Sequence, residues 1–97
     1  IAAVPGIDVV MIGTNDFCIE NGIPGKLDDK VVIDAYTKII NACHRHGKAP
    51  GMGGVYAHPL LEKYIRMGMR FVLCGFDLPL MMGAARERSN FVRSVSG

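Results

Sequence analysis

Ninety-seven residues make one small domain and no more. At 49% hydrophobic and 21% charged, the chain has ample apolar side chain to bury, which excludes a disordered segment. A formal net charge of +2 without a Lys/Arg cluster argues against nucleic acid as a partner, and no run approaches the ~18 apolar residues of a membrane span.

The opening "IAAVPG" has neither the charged start nor the long apolar run of a secretory signal, and no initiator Met. It reads as the tail of a helix ending at Pro5-Gly6, so the chain is expected to begin inside something larger. Three units follow, each a short apolar run and then a helical pattern. Unit one places a strand at 8–13 ("DVVMIG"), a polar loop containing Gly22, Pro24 and Gly25, and a helix at 30–46. Val32, Ala35, Tyr36, Ile39, Ile40 and Cys43 recur there at helical spacing, and Gly47 is the expected stop. Cys43 on that stripe reads as core. His44 and His46 lie in the last turn, where basic side chains suit the helix dipole. Spaced by two, they do not share a face and make a poor metal pair. Glu20, Asp28 and Asp29 read as surface and capping residues.

Unit two runs through 49–55 ("APGMGGV") into a helix from Pro59, a residue suited to the first helical position. Leu60, Leu61, Tyr64 and Ile65 are expected to face inward, and Gly68 to close the helix. Unit three is a strand at 70–75 ("RFVLCG") and a helix from Leu78 to Val95. Leu78, Met81, Met82, Ala85, Val92 and Val95 form its apolar stripe, with methionine as core filler. The arginines of "ARERSNFVR" at 84–92 are interrupted by Glu87 and read as a solvated face. Cys18, Cys43 and Cys74 form neither a disulfide framework nor a CxxC pattern, and fit free thiols in a reducing cytosol.

Strand, loop and helix in alternation argue an α/β fold with a parallel sheet whose faces are both covered. Three strands alone leave two open edges. The chain is therefore either a small open sandwich or about three of the eight units in a barrel of roughly 250 residues. A barrel piece without its other strands exposes hydrophobic surface.

Ligands of parallel α/β folds gather at the carboxyl ends of strands, here the loops 13–18, 53–59 and 75–79. Asp16 in the first reads either as an Asx-turn or as a ligand for a hard cation such as Mg²⁺. Thr14, Asn15 and neighbouring N–H groups form a candidate nest for a carboxylate. Asp77 reads as a helix cap and His58 as a loop, cap or base residue.

"VPGIDVVMIGTNDF" (4–17), "HGKAPGMGGVY" (46–56) and "YIRMGMRFVLCGFD" (64–77) resemble, in order, the C-terminal part of the HpcH/HpaI aldolases. The resemblance implies a class II, metal-dependent lyase acting on pyruvate and related 2-keto acids together with an aldehyde. It implies a TIM barrel of which residues 1–97 hold about strands 6–8 and helices 6–8, an incomplete barrel in this chain. It further implies a cytoplasmic hexamer that exchanges its final helix. The family's G-x-x-D loop is Gly13-Thr14-Asn15-Asp16 here, so Asp16 is implied as a ligand of Mg²⁺, Mn²⁺ or Co²⁺. Asn15 and Asp16 are implied as backbone donors to the keto-acid carboxylate. Thr14 and Asn15 replace the Pro-Ala of some members. Gly53, where some relatives carry a larger apolar residue, faces the aldehyde and is expected to leave a roomier pocket. The family's Glu ligand, its Arg and its His-Asp acid/base pair have no counterpart in these residues, so no catalytic residue is assigned.

Two other readings stand beside this one. One is that the chain is a non-catalytic fragment or split subunit supplying interface and half a site. Alternatively it is an unrelated phosphate-binding α/β domain, with "GMGG" and "LCGF" as the cradle, although no GK[ST] or GxGxxG accompanies them.

Overall fold

A computed structural model describes residues 1–95. Its elements are β1 (Val9–Gly13), α1 (Thr14–Glu20), α2 (Lys30–His46), β2 (Ala49–Gly53), α3 (His58–Met67), β3 (Phe71–Val72) and α4 (Asp77–Val95). The strands form one parallel sheet in the order β1-β2-β3. The architecture is thus α/β with a small parallel sheet, as the alternation of elements requires.

Local chemistry sets the helix ends. Asp29 caps α2 by accepting from the Val31 N–H at 3.0 Å, and Gly47 closes it at φ 67°, a left-handed conformation that glycine adopts without cost. Pro59 sits in the first turn of α3. The structure corrects several expectations. Residues 1–6 form turns, not a helix tail. The first part of the polar loop expected after Gly13 is the helix α1, too short for an apolar period to announce it, while residues 21–29 with Gly22, Pro24 and Gly25 are turns as expected. The strand expected at 70–75 is only two residues long as β3, although the Leu73 N–H still reaches the Met52 carbonyl at 3.0 Å. Ile65 is exposed, and Tyr64 alone of the four residues expected to face inward is fully buried.

The two faces of the sheet differ. Ile12, Met52 and Val72 pack beneath α2 and α3 with Val32, Tyr36, Tyr64 and Met69. Alternation along the strands sends Met11, Gly51 and Phe71, which are cross-strand partners, to the other face. Gly13, Gly53 and Leu73 continue that second face. No described helix covers it, and Met11, Phe71 and Leu73 stay exposed.

α4 gives the largest correction. Its stripe is not core within this chain, since no residue of the helix is buried; Leu80 is 63% exposed and Phe91 66%. The helix lengthens the molecule to 59 × 30 × 21 Å, and the radius of gyration of 17.1 Å exceeds the about 13 Å of a compact domain of this length.

Gly51 is where the strands crowd most. A Cβ there would stand 2.9 Å from the Phe71 carbonyl oxygen and 3.3 Å from Met11 Cβ. Gly51→Ala is expected to destabilise the fold by about 1–3 kcal/mol. Gly83→Ala, where a Cβ meets nothing within 4 Å, should be neutral or stabilising. Urea unfolding of both variants checks the contrast.

Candidate active site

At the carboxyl ends of β1 and β2 the chain forms a concavity of about 290 Å³ lined by Met11, Gly13, Thr14, Asn15, Asp16, Gly53, Gly54 and Leu73. Asn15, Asp16 and Gly53, the residues singled out from sequence, therefore share one hollow. Asp77 and His58 are not in its lining. Asp77 opens α4, its Oδ1 accepting from the Leu78 N–H at 2.8 Å, and His58 opens α3. A larger hollow of about 500 Å³ is lined only by α4 residues from Ala84 to Phe91 and has no opposing wall, so it is a weaker candidate.

Each wall has a physical origin. β1 ends at Gly13, and α1 begins at once, so the first helical turn stands over the strand end. Asp16 lies in that first turn, where a negative charge suits the helix dipole. Its Oδ2 lies 3.6 Å from the point a Gly13 Cβ would occupy, an ordinary contact distance that places the carboxylate beside the strand end. Gly53 also lacks a side chain at the wall; a Cβ there would meet Leu73 Cδ2 at 3.3 Å.

Gly54 was not foreseen as a site residue. Its φ of 85° and bare Cα admit the Asn15 amide, whose Nδ2 donates to the Gly54 carbonyl at 3.4 Å and would lie 2.7 Å from a Cβ. A side chain at Gly54 would therefore push Asn15 out of place. The glycine pair was visible in "GMGG", but there it suggested a phosphate cradle. Gly51 and Gly53 instead belong to β2, where close neighbouring strands explain their lack of side chain.

Beneath the site lies a run of buried polar groups. Thr14 Oγ1 and Tyr36 Oη hydrogen bond at 2.5 Å, both side chains being wholly buried. The Tyr36 ring packs at 4.5 Å on Tyr64, whose hydroxyl donates to the Leu27 carbonyl. Next to it, Cys18 Sγ of α1 lies 3.7 Å from the Lys26 carbonyl. Burial pushes the Cys18 thiol up, helped by the charge of Asp29. Burial also raises Tyr36, partly offset by the Thr14 hydrogen bond. Tyr64 is pushed up to about 12, first by burial and then by Tyr36, Asp28 and Cys18. All three groups therefore stay protonated and uncharged near neutral pH.

As a carboxylate, Asp16 is a hard oxygen donor at the rim of the hollow, which is the chemistry Mg²⁺ or Mn²⁺ requires. Among the described residues, however, no group of three or more His, Cys, Asp or Glu is placed to hold a metal. Asp16 thus fits the role of one ligand and does not make a complete site. Among the same residues no helix is long and apolar enough to cross a membrane.

Comparison with known proteins follows the same lines. The sequence profile of the HpcH/HpaI aldolase/citrate lyase family matches residues 1–84. The chain is 36% identical over 97 residues to a 4-hydroxy-4-methyl-2-oxoglutarate aldolase of Hapsidospora irregularis, covering 98% of this chain and 36% of that protein. It is 38% identical over 81 residues to a 4-hydroxy-2-oxovalerate aldolase of Rhodococcus jostii, covering 84% of this chain and 31% of that protein. A crystal structure of an HpcH/HpaI aldolase/citrate lyase family protein from Burkholderia cenocepacia superposes with a TM-score of 0.81 at 25% identity, over 95% of this chain and 35% of that one. The chain therefore spans about a third of the length of the proteins it matches.

The tyrosine burial has a measurable consequence. Tyr64 ionises near pH 10 when unfolded and only at about 12 when folded. Its burial stabilises the fold fully below pH 10, and that contribution is lost as pH rises from 10 through 12. Tyr64→Phe should flatten the fall in stability over this window, as read by urea unfolding at stepped alkaline pH.

Proposed function

The chain belongs to the HpcH/HpaI aldolase/citrate lyase family, and on that premise we propose that it is the C-terminal segment of a divalent-metal-dependent aldolase. The reaction makes or breaks the C–C bond beside a pyruvate-type enolate. The observation that carries the reading is the convergence of Asn15, Asp16 and Gly53 on one hollow at the carboxyl ends of parallel strands. Two of the relatives are named for 4-hydroxy-2-oxo acids. Such acids open between C3 and C4 to a carbonyl compound and the enolate of a 2-keto acid, so pyruvate or a related keto acid and an aldehyde are the proposed substrates.

The barrel reading rests on how the sheet is wound. Strands lie in sequence order, and α2 and α3 pack on the same face. A doubly wound sheet reverses its strand order and places helices on both faces; a barrel does neither. The bare face of Met11, Phe71 and Leu73 then lines the barrel interior, and residues 1–97 are about units 6–8. The exposed Leu/Met stripe of α4 suits the exchanged final helix of a hexamer. Three free thiols suit a cytoplasmic location.

Within this reading Asp16 holds the cation through its carboxylate. The backbone N–H groups of Asn15 and Asp16, in a first helical turn that leaves them without intrahelical acceptors, bind the keto-acid carboxylate. A bound Mg²⁺ or Mn²⁺ supplies Lewis-acid polarisation of the keto-acid oxygens. Gly53 keeps the wall open toward the aldehyde, and Gly54 seats the Asn15 amide. The described residues hold one ligand of the set, so the 97-residue chain by itself is expected to be inactive.

Exchange of pyruvate methyl protons with deuterated water, followed by NMR, tests the reading in the complete enzyme. Exchange should require Mg²⁺ or Mn²⁺, stop with chelator, and fall at least about 100-fold in Asp16→Asn, the range lost with one key electrostatic group. Metal-independent exchange, or full exchange in Asp16→Asn, would sink it. Stabilisation by phosphate without a divalent metal would favour a phosphate-binding domain instead.

A further inference from the structure

The first turn of α1 carries Asn15 and Asp16; Phe17 and Cys18 anchor the rest of the helix on the core, but no cap fixes the turn itself. Its N-cap is Gly13, which makes no side-chain cap hydrogen bond and offers no side chain for packing. A helix of seven residues is too short to be stable by itself. The Asn15 amide reaches Gly54 only at 3.4 Å, on the exposed side. On the inner side the turn is tied by Thr14, wholly buried and hydrogen bonded at 2.5 Å to Tyr36 Oη across 22 residues of sequence.

Stability alone does not call for this pair. Two buried hydroxyls that satisfy each other contribute little over an apolar pair of the same shape, because both were hydrated when unfolded. A directional bond does what apolar contact does not: it fixes one position of α1 on α2. Tyr36 is itself fixed, since its ring packs against Tyr64 and the Tyr64 hydroxyl is tied to the Leu27 carbonyl.

We propose that Tyr36 is a positioning residue: through Thr14 Oγ1 it sets the first turn of α1, and with it Asn15 and Asp16, over the strand ends. The proposal rests on the reading of Asn15 and Asp16 given above. Tyr36 touches neither substrate nor metal.

The test uses the complete enzyme with Thr14→Val, Tyr36→Phe and the double variant, which replaces both hydroxyls by apolar groups of similar shape. Thr14→Ser keeps the hydroxyl. Unfolding temperature, kcat, KM and hydrogen exchange at Cys18, Ile19 and Glu20 are measured for each. Those three amides bond the carbonyls of residues 14–16 and so report opening of the first turn. The double variant should recover most of the unfolding temperature lost in the single variants. It should nevertheless keep a roughly tenfold lower kcat/KM, mainly in kcat, and exchange about tenfold faster at the three amides. Thr14→Ser should restore most of both losses. A double variant with kcat/KM and exchange within about twofold of wild type would overturn the proposal. If the wild-type enzyme shows no metal-dependent turnover, the aldolase reading fails, and the exchange comparison still decides whether Tyr36 holds the turn.

Discussion

Parallel strands bury both faces, because their crossover helices cover the sheet and leave no side for water. Here both crossovers, α2 and α3, fall on one face, and the strands follow in sequence order. Met11, Phe71 and Leu73 consequently stand on an uncovered face with glycines between them. This one-sided winding leaves the second face open among the described residues. The placement of the hollow follows, since every strand brings its carboxyl end to the same rim.

Close backbone approach shapes that rim. Gly51 brings Phe71 against β2, Gly53 leaves room beside Leu73, and Gly54 admits the Asn15 amide. Under the rim the polar groups of Thr14, Tyr36, Tyr64 and Cys18 link α1, α2, α3 and the loop before α2. Their burial keeps them uncharged near neutral pH. The hydrogen-bonded core thus orients a surface turn without placing a charge beneath it. Polar groups in a dry interior demand partners, and that demand restricts the helices to one arrangement.

α4 shows the limit of periodicity as evidence. Leu78, Met81, Met82, Val92 and Val95 recur at helical spacing, which correctly marks a helix with an apolar side. Spacing states that a side is to be covered and does not state by what. Among the described residues none on this helix is buried. The exposed stripe and the bare sheet face both leave large hydrophobic side chains in water.

Several features were legible in the sequence because they depend on neighbours along the chain. The span of α2, its Asp29 cap and Gly47 stop, the Pro59 start of α3 and the free cysteines all follow from local propensity, spacing or count. So did the grouping of Asn15, Asp16 and Gly53 at strand ends, since a parallel α/β pattern sends its loops there. The tertiary structure alone decided the rest. It showed that the first seven residues after Gly13 form a helix, that Gly54 seats Asn15, and that a hydroxyl of α2 meets Thr14. The last two depend on contacts between residues 39 and 22 positions apart. Local sequence carries propensity and period, but a hydrogen bond across the core exists only once packing has brought both ends together.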